Sequence, residues 1–208
     1  MPHIDEDITR IIVASKDLFL RLGTRAVSMD DVARAVGVSK KTLYKHFADK
    51  NQLIETSMQF HLQNNCNKVL EEYRQCADAI HEFIAMSLQV KQDLENMNIV
   101  MFNDLQKFHP KAWNMLNEHH ENFIYNYVRE NMLRGIREGL YREDIEIDMI
   151  AQLYIRILLN IIIGTAPLRE LSIVRNYEVF VDYHLRALLS FDGYKRYQEI
   201  TNTLHKPI

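Results

Sequence analysis

Apolar residues recur at three- and four-residue spacing along most of the chain, which is the pattern of amphipathic α-helices. The first such stretch predicts a helix from about Asp5 to Leu22, ended by Gly23. The 208 residues include only six Gly and four Pro. These are too few to separate the many short strands of a sandwich or barrel. We therefore expect an all-α fold of about nine or ten helices.

Three helix starts follow one another between residues 28 and 49. Ser28 is placed as an N-cap, with an acid at the third helical position, before a short helix over residues 29–36. Gly37 then provides a tight turn, and Ser39 caps a second short helix that ends near Phe47. Asp49 caps a third, longer helix. Two short helices joined by a glycine turn predict a helix-turn-helix.

The charge distribution favours a polyanionic partner for this segment. The whole chain has a net charge of −3, but residues 21–50 carry seven basic and three acidic side chains, and residues 51–208 carry 16 basic and 21 acidic ones. Lys40 and Lys41 fall in the first turn of one helix and Lys50 in the first turn of the next, where the helix dipole disfavours cations. A bound phosphate would remove this conflict, because backbone N–H groups and a lysine can share one anion there.

The second short helix has one apolar face and one face of hydrogen-bond donors. Leu43 and Phe47, four residues apart, are placed to hold the helix against the core. The opposite face can meet base edges and phosphates in a major groove, and it consists of Lys40, Lys41, Thr42, Tyr44, Lys45 and His46. A solvated basic face without a ligand is the alternative interpretation.

These residues resemble the DNA-binding domain of the TetR family of transcriptional regulators. The resemblance extends from Ile8 to Leu53 and is carried by the run from Val32 to Phe47 together with Lys50. It implies a helix-turn-helix DNA-binding domain, taken as residues 1–50, and a helical body over residues 51–208 for effector binding and dimerisation. It also implies which side chains contact DNA. Base edges or nearby phosphates would be contacted by Lys40, Lys41, Thr42, Lys45 and His46. Tyr44 and Lys50 would contact phosphates, and Ser28, the cap of the first short helix, can also touch the DNA backbone.

One residue departs from the family pattern. Asp30 stands where some members have a basic residue that reaches a base. A carboxylate cannot contact guanine in the same way, so the operator sequence cannot be transferred from a relative.

The body shows further helical segments. Their predicted ranges are residues 50–75, 80–94, 98–108, 110–137, 148–165, 171–191 and 194–204, with Gly135 and Gly139 marking the end of the fourth. Residues 148–165 and 171–191 are the most apolar. The resemblance implies that these two helices pair with the same two of a second subunit in a four-helix bundle; ordinary intrachain core is the alternative.

A pocket for an effector is expected on the middle helices of the body. Methionines and aromatic residues suit an adaptable apolar pocket, and the candidates are Met86, Met101, Phe102, Trp113, Phe123, Tyr127 and Tyr154. Simple core packing is the alternative for each of them. His119 and His120 are a poor chelating pair, because adjacent residues on a helix point about 100° apart. We therefore expect no metal site.

Several classes of protein are excluded. The sequence motifs of phosphate-binding loops, dinucleotide-binding folds, zinc proteases, serine hydrolases and CxxC redox sites are missing, so we expect neither an enzyme nor a cofactor. Cys66 and Cys76 form no disulfide framework, and the first ten residues lack the features of a signal peptide. No apolar run is long enough to span a bilayer. A cytoplasmic location is expected.

The favoured function is a ligand-responsive repressor. A dimer would bind a palindromic operator, and a small-molecule effector would favour a body conformation that moves the helix starting at Lys50 and separates the recognition helices. The alternative is a constitutive DNA-binding protein, or an activator, without a small-molecule effector.

Overall fold

The computed structural model of the protein describes residues 6–72, 75–96, 98, 100–163 and 172–204. In these ranges the chain is almost entirely helical, with one isolated β-bridge between Tyr141 and Leu189. The predicted all-α fold is therefore confirmed. None of the helices in these ranges combines the length and apolar character that a bilayer-spanning segment needs.

The chain folds into two compact units, each made of two separate stretches of sequence. The first unit contains Met1–Asn65 and Asn96–Glu118, and the second contains Cys66–Glu95 and His119–Ile208. The unit that holds the predicted DNA-binding domain is thus larger than residues 1–50. The functional boundary at residue 50 stays a prediction.

The first unit is built around the three N-terminal helices. The helices with most or all of their residues in it are α1 (Glu6–Leu22), α2 (Met29–Val36), α3 (Lys40–His46), α4 (Lys50–Glu72), α6 (Val100–Phe108) and α7 (Pro110–His119). Except at the end of α7, their bounds lie close to those that the sequence predicts. The four residues with which α2 faces inward, Met29, Val32, Ala33 and Val36, are all buried.

The second unit contains the remaining helices of the body. These are α5 (Ala79–Asn96), α8 (Tyr125–Arg137), α9 (Ile147–Ile163), α10 (Ile173–Leu188) and α11 (Phe191–Leu204). The predicted helix over residues 110–137 is not regular, because a π-helical turn, His120–Ile124, separates α7 from α8. Only Gly139 ends α8 in the left-handed conformation, with φ of 70°. Gly135 lies inside α8, where it makes room for the ring of Tyr141.

Candidate DNA-binding interface

The start of α2 is fixed by a reciprocal capping box. The Ser28 hydroxyl oxygen accepts a hydrogen bond from the backbone N–H of Asp31 at 3.2 Å, and the Asp31 carboxylate accepts one from the backbone N–H of Ser28 at 2.9 Å. The hydrogen bond that the Ser28 hydroxyl donates to Asp31 is the main cause that lowers the pKa of this carboxyl. The predicted cap is confirmed, whereas contact of Ser28 with DNA stays a prediction.

The turn and the two following helix starts are also specified locally. Gly37 adopts φ of 79° and donates its backbone N–H to the carbonyl of Ala33, which ends α2. The Ser39 hydroxyl oxygen accepts from the backbone N–H of Thr42 at 3.0 Å and caps α3. The Asp49 carboxylate accepts from the backbone N–H of Gln52 at 2.8 Å and caps α4. All three helix starts of the predicted helix-turn-helix are therefore present.

The recognition helix α3 presents one face to the core and the other to solvent. Leu43 and Phe47 are buried, with exposed fractions of 0% and 3%. On the opposite face, Lys40, Lys41, Tyr44 and Lys45 are exposed, and Thr42 and His46 are half-buried. The structure thus brings six of the predicted DNA-contacting side chains onto one short helix.

The remaining predicted contact, Lys50, lies at the start of α4. Its side chain is half-buried, and burial lowers the pKa of its ammonium group, whereas the carboxylates of Asp104 and Asp31 raise it. Lys50 is the first residue of α4, and the first N–H groups of a helix have no partner within it, an arrangement that suits a phosphate.

An ion pair on this surface was not foreseen from the sequence. Asp30, in the first turn of α2, lies with its Oδ1 atom 2.8 Å from Nζ of Lys40, the first residue of α3. The hydrogen bond from Lys40 and the negative charge of Asp30 raise the pKa of the Lys40 ammonium group. The residue that departs from the family pattern is thus joined to a residue of the recognition helix.

Sequence reasoning also missed a contact with α6. The carboxylate of Asp104 is buried and accepts hydrogen bonds from the backbone N–H of Arg25 at 3.0 Å and from the hydroxyl of Thr24 at 3.4 Å. The guanidinium group of Arg25 lies over the ring of Phe108, 4.8 Å from its centroid. Thus α6 fixes the loop that leads from α1 to α2.

The predicted pocket residues are divided between the two compact units, and their role in a pocket stays a prediction. Met101, Phe102 and Trp113 lie in the first unit, and Met86, Phe123, Tyr127 and Tyr154 lie in the second. Met101 lines a cavity of about 10 Å³ in the first unit, which is room for about one water molecule. A groove of about 270 Å³ in the second unit, beside His81 and Arg196, contains none of the seven.

Tyr154 instead belongs to a buried aromatic cluster in the second unit. Its ring centroid lies 4.8 Å from that of His184 and 5.0 Å from that of Phe180, and His184 stacks on Phe83 at 5.5 Å. Burial among these rings lowers the pKa of His184 to about 4. Among the residues that the structure describes, no group of three His, Cys, Asp or Glu side chains could hold a metal ion.

The capped helices, the glycine turn and the exposed cationic face of α3 define a helix-turn-helix DNA-binding domain. Residues 11–56 match the model of a family described as bacterial regulatory proteins, tetR family. The segment over residues 11–56 therefore matches the DNA-binding domain of this family, as the resemblance implies.

Known proteins similar to this chain agree with that assignment. The chain is 30% identical over 97 residues to YvaF of Bacillus subtilis, an HTH-type transcriptional regulator; the match covers 41% of this chain and 46% of YvaF. It is 28% identical over 107 residues to the HTH-type transcriptional activator FasR of Mycolicibacterium smegmatis, over 48% of each chain. The chain thus matches a little under half the length of these two relatives.

A solved structure extends the likeness to the body. A Saccharomonospora viridis protein crystallised in complex with choline superposes with a TM-score of 0.68 and 19% identity, covering 88% of this chain and 97% of that one. At this identity the likeness shows the fold alone, and the fold includes the helices of both units.

Proposed function

We propose that the protein is a transcriptional regulator that binds a palindromic operator as a homodimer and is released from it by a small-molecule effector. The observation that carries the proposal is the recognition helix α3, which is anchored by Leu43 and Phe47 and turns four exposed side chains toward solvent. A short helix of this kind, preceded by the capped helix α2 and followed by the capped helix α4, fits the major groove of B-DNA. A regulator of this kind acts on chromosomal DNA, so we place it in the cytoplasm.

Dimerisation is supported by exposed apolar side chains on two helices of the second unit. On α9, Met149, Leu153 and Ile157 recur every four residues, and their exposed fractions are 57%, 46% and 42%. On α10, Val179 and Tyr183 are also four residues apart and are 49% and 75% exposed. Exposed apolar stripes on α9 and α10 support the predicted subunit interface, because a two-fold dimer buries the same surface of each copy.

Release by an effector is supported by a similar fold and by the interior of the second unit. The Saccharomonospora viridis protein of this fold was crystallised with choline. In the present chain, Met86 and Tyr154 are buried in the second unit. Rearrangement of the aromatic cluster around Tyr154 would open an apolar pocket with few polar groups, the usual kind of site for a small molecule.

An activator is the second candidate. The similarity to FasR, which is named a transcriptional activator, favours it. The sign of regulation depends on where the operator lies relative to a promoter, and the structure of the DNA-binding domain is compatible with both signs.

Selection of bound duplexes from a random pool tests the proposal. We expect one enriched site with two inverted half-sites whose centres are about 10 base pairs apart or a multiple of that. The Lys40→Ala/Lys45→Ala protein should enrich no site, whereas a protein with Lys195→Ala, a change on α11, should enrich the same site as the wild type. Enrichment of no duplex by the wild type at low salt would contradict DNA binding, and enrichment of a single, unrepeated half-site would contradict the dimer.

A further inference from the structure

The ion pair between Asp30 and Lys40 contributes too little to folding to explain why these two residues are placed together. Both side chains are more than half exposed, at 52% and 57%. Exposed ion pairs add little to stability. The cap of α2 does not need Asp30 either, because Asp31 makes both hydrogen bonds of the capping box. A carboxylate on a surface that meets DNA also repels the phosphates. Its presence there is explained if it contacts a base in the major groove.

The pair offers an acceptor and a donor side by side. Oδ1 of Asp30 and Nζ of Lys40 are 2.8 Å apart. In a C·G base pair, the N4 amino group of cytosine and the O6 atom of guanine are also neighbours, joined by a Watson–Crick hydrogen bond of about 2.9 Å. Both atoms keep one hydrogen-bonding position free in the major groove: N4 can donate its second hydrogen, and O6 can accept at its second lone pair.

We propose that Asp30 and Lys40 act together as a specificity-determining pair that recognises one C·G base pair in each half-site, with cytosine facing Asp30 and guanine facing Lys40. The proposal rests on the proposed binding of operator DNA. The Asp30 carboxylate accepts a hydrogen bond from cytosine N4, and the Lys40 ammonium group donates to guanine O6 and N7. The ion pair stays intact, so neither side chain has to give up its partner on binding.

The other base pairs fit this pair of groups less well. The reversed pair, G·C, would place the acceptors O6 and N7 of guanine against the carboxylate, which is repulsive. An A·T pair also has an amino group next to a carbonyl, but the carbonyl of thymine is followed by a methyl group instead of a second acceptor. The ammonium group of Lys40 then has one partner instead of two. A T·A pair combines both disadvantages.

The test measures affinities for the selected operator and for variants in which each half-site position carries each of the four base pairs. At one position, the wild type should prefer C·G to every other pair by about tenfold or more. Asp30→Ala should lose this preference at that position alone and should bind unrelated DNA more tightly. Asp30→Asn should shift the preference toward A·T, since a carboxamide can pair with adenine N6 and N7.

Two controls separate this role from a general effect of charge or of folding. Asp17→Asn removes an exposed carboxylate of α1 and makes the same change in net charge, so it should alter all affinities by one common factor. Asp30→Ala combined with Lys40→Met, which adds no hydrogen-bonding group, should discriminate at that position no less than Asp30→Ala or Lys40→Met alone, because the pair acts as a unit.

The outcomes are distinct for the two proposals. If Asp30→Ala keeps the wild-type preference at every position, the inference is overturned and the pair is an ordinary surface ion pair, while the proposed function stands. If the wild type binds no duplex of any sequence, the proposed function itself is wrong. An unchanged circular dichroism spectrum and midpoint of unfolding for Asp30→Ala establish that the altered preference does not arise from loss of structure.

Discussion

The buried carboxylate of Asp104 on α6 accepts a hydrogen bond from the backbone N–H of Arg25 in the loop between α1 and α2, at 3.0 Å. The same oxygen atom accepts from the hydroxyl of Thr24 at 3.4 Å. One side chain of the body thus supplies the hydrogen-bond acceptor for a loop that leads into the helix-turn-helix. The orientation of α2 depends on that loop, and it therefore depends on α6.

Replacing Asp104 with alanine should destabilise the first unit. The change leaves the buried hydroxyl of Thr24 and the partly buried N–H of Arg25 without their acceptor, which costs about 2 kcal/mol in the free energy of unfolding. Asp104→Asn keeps one acceptor oxygen and should lose less. Urea denaturation measures the effect, and Glu118→Ala, an exposed change on α7, should stay within about 0.5 kcal/mol of the wild type. Equal stability of Asp104→Ala and Glu118→Ala would show that the contact does not fix the loop.

The sequence predicts those parts of the interface whose interactions are local. Ser28 and Asp31, or Ser39 and Thr42, are three residues apart, so their capping bonds follow from residue type and spacing alone. Gly37 is likewise recognisable, since few other residues adopt its left-handed conformation. The acceptor for Arg25 lies 79 residues further along the chain, and no local pattern indicates it.

The sequence alone does not decide whether the seven candidate residues line a pocket, for a different reason. Methionine and aromatic residues fill cores as readily as they line pockets. The residue types of Met101 and Tyr154 therefore do not distinguish the two roles, and the structure places these residues in different compact units. The Asp30–Lys40 pair was missed because the nine residues between Asp30 and Lys40 include a turn.

Changes at Lys50 and Tyr44 should weaken binding to all duplexes alike. If each contacts a phosphate, Lys50→Gln should reduce the slope of log affinity against log salt concentration by about 0.9, because one fewer counterion is released. Tyr44→Phe, which removes an uncharged donor, should lower the affinity with little effect on the slope. Fluorescence anisotropy over a range of salt concentrations gives both quantities. Lys195→Gln on α11 is the matched loss of one positive charge, and a Lys50→Gln slope equal to that of Lys195→Gln would refute the phosphate contact.

The stability of the second unit should fall as the pH is lowered from neutral. Burial lowers the pKa of His184 to about 4 from an ordinary value of 6.5. Between these two values the unfolded chain binds a proton that the folded chain does not, so stability is fully present above pH 6.5 and is lost as the pH falls toward 4. The contribution of this one side chain to the loss is about 3 kcal/mol.

Replacement of His184 by phenylalanine should flatten that pH profile. Nε2 of His184 has no hydrogen-bond partner among the described residues, so replacement by phenylalanine gives up no hydrogen bond at that atom. Denaturation curves at pH 7 and pH 4.5 should show a smaller loss for His184→Phe than for the wild type. His46→Gln, a change on the recognition helix outside the aromatic cluster, should keep the wild-type loss. The same loss in His184→Phe would mean that groups other than His184 account for the dependence.

A charge placed in the apolar stripe of α9 should separate the subunits. Ile157 is 42% exposed and lies one helical turn from Leu153, which is 46% exposed. In a dimer that buries this stripe, Ile157→Glu would place a carboxylate from each copy in an apolar interface, and an unpaired buried charge is strongly unfavourable. We expect the variant to sediment as a monomer and to lose most of its affinity for a palindromic site while keeping weak binding to a single half-site.

The control for this change carries the same new side chain elsewhere. Gln198 is exposed on α11, and Gln198→Glu should sediment as the wild type does. Tyr183→Glu on α10 should behave as Ile157→Glu does, because the proposed interface includes both helices. If both stripe variants remain dimeric, the subunits meet through another surface, and the apolar residues of α9 and α10 must be covered by something other than a second copy of the chain.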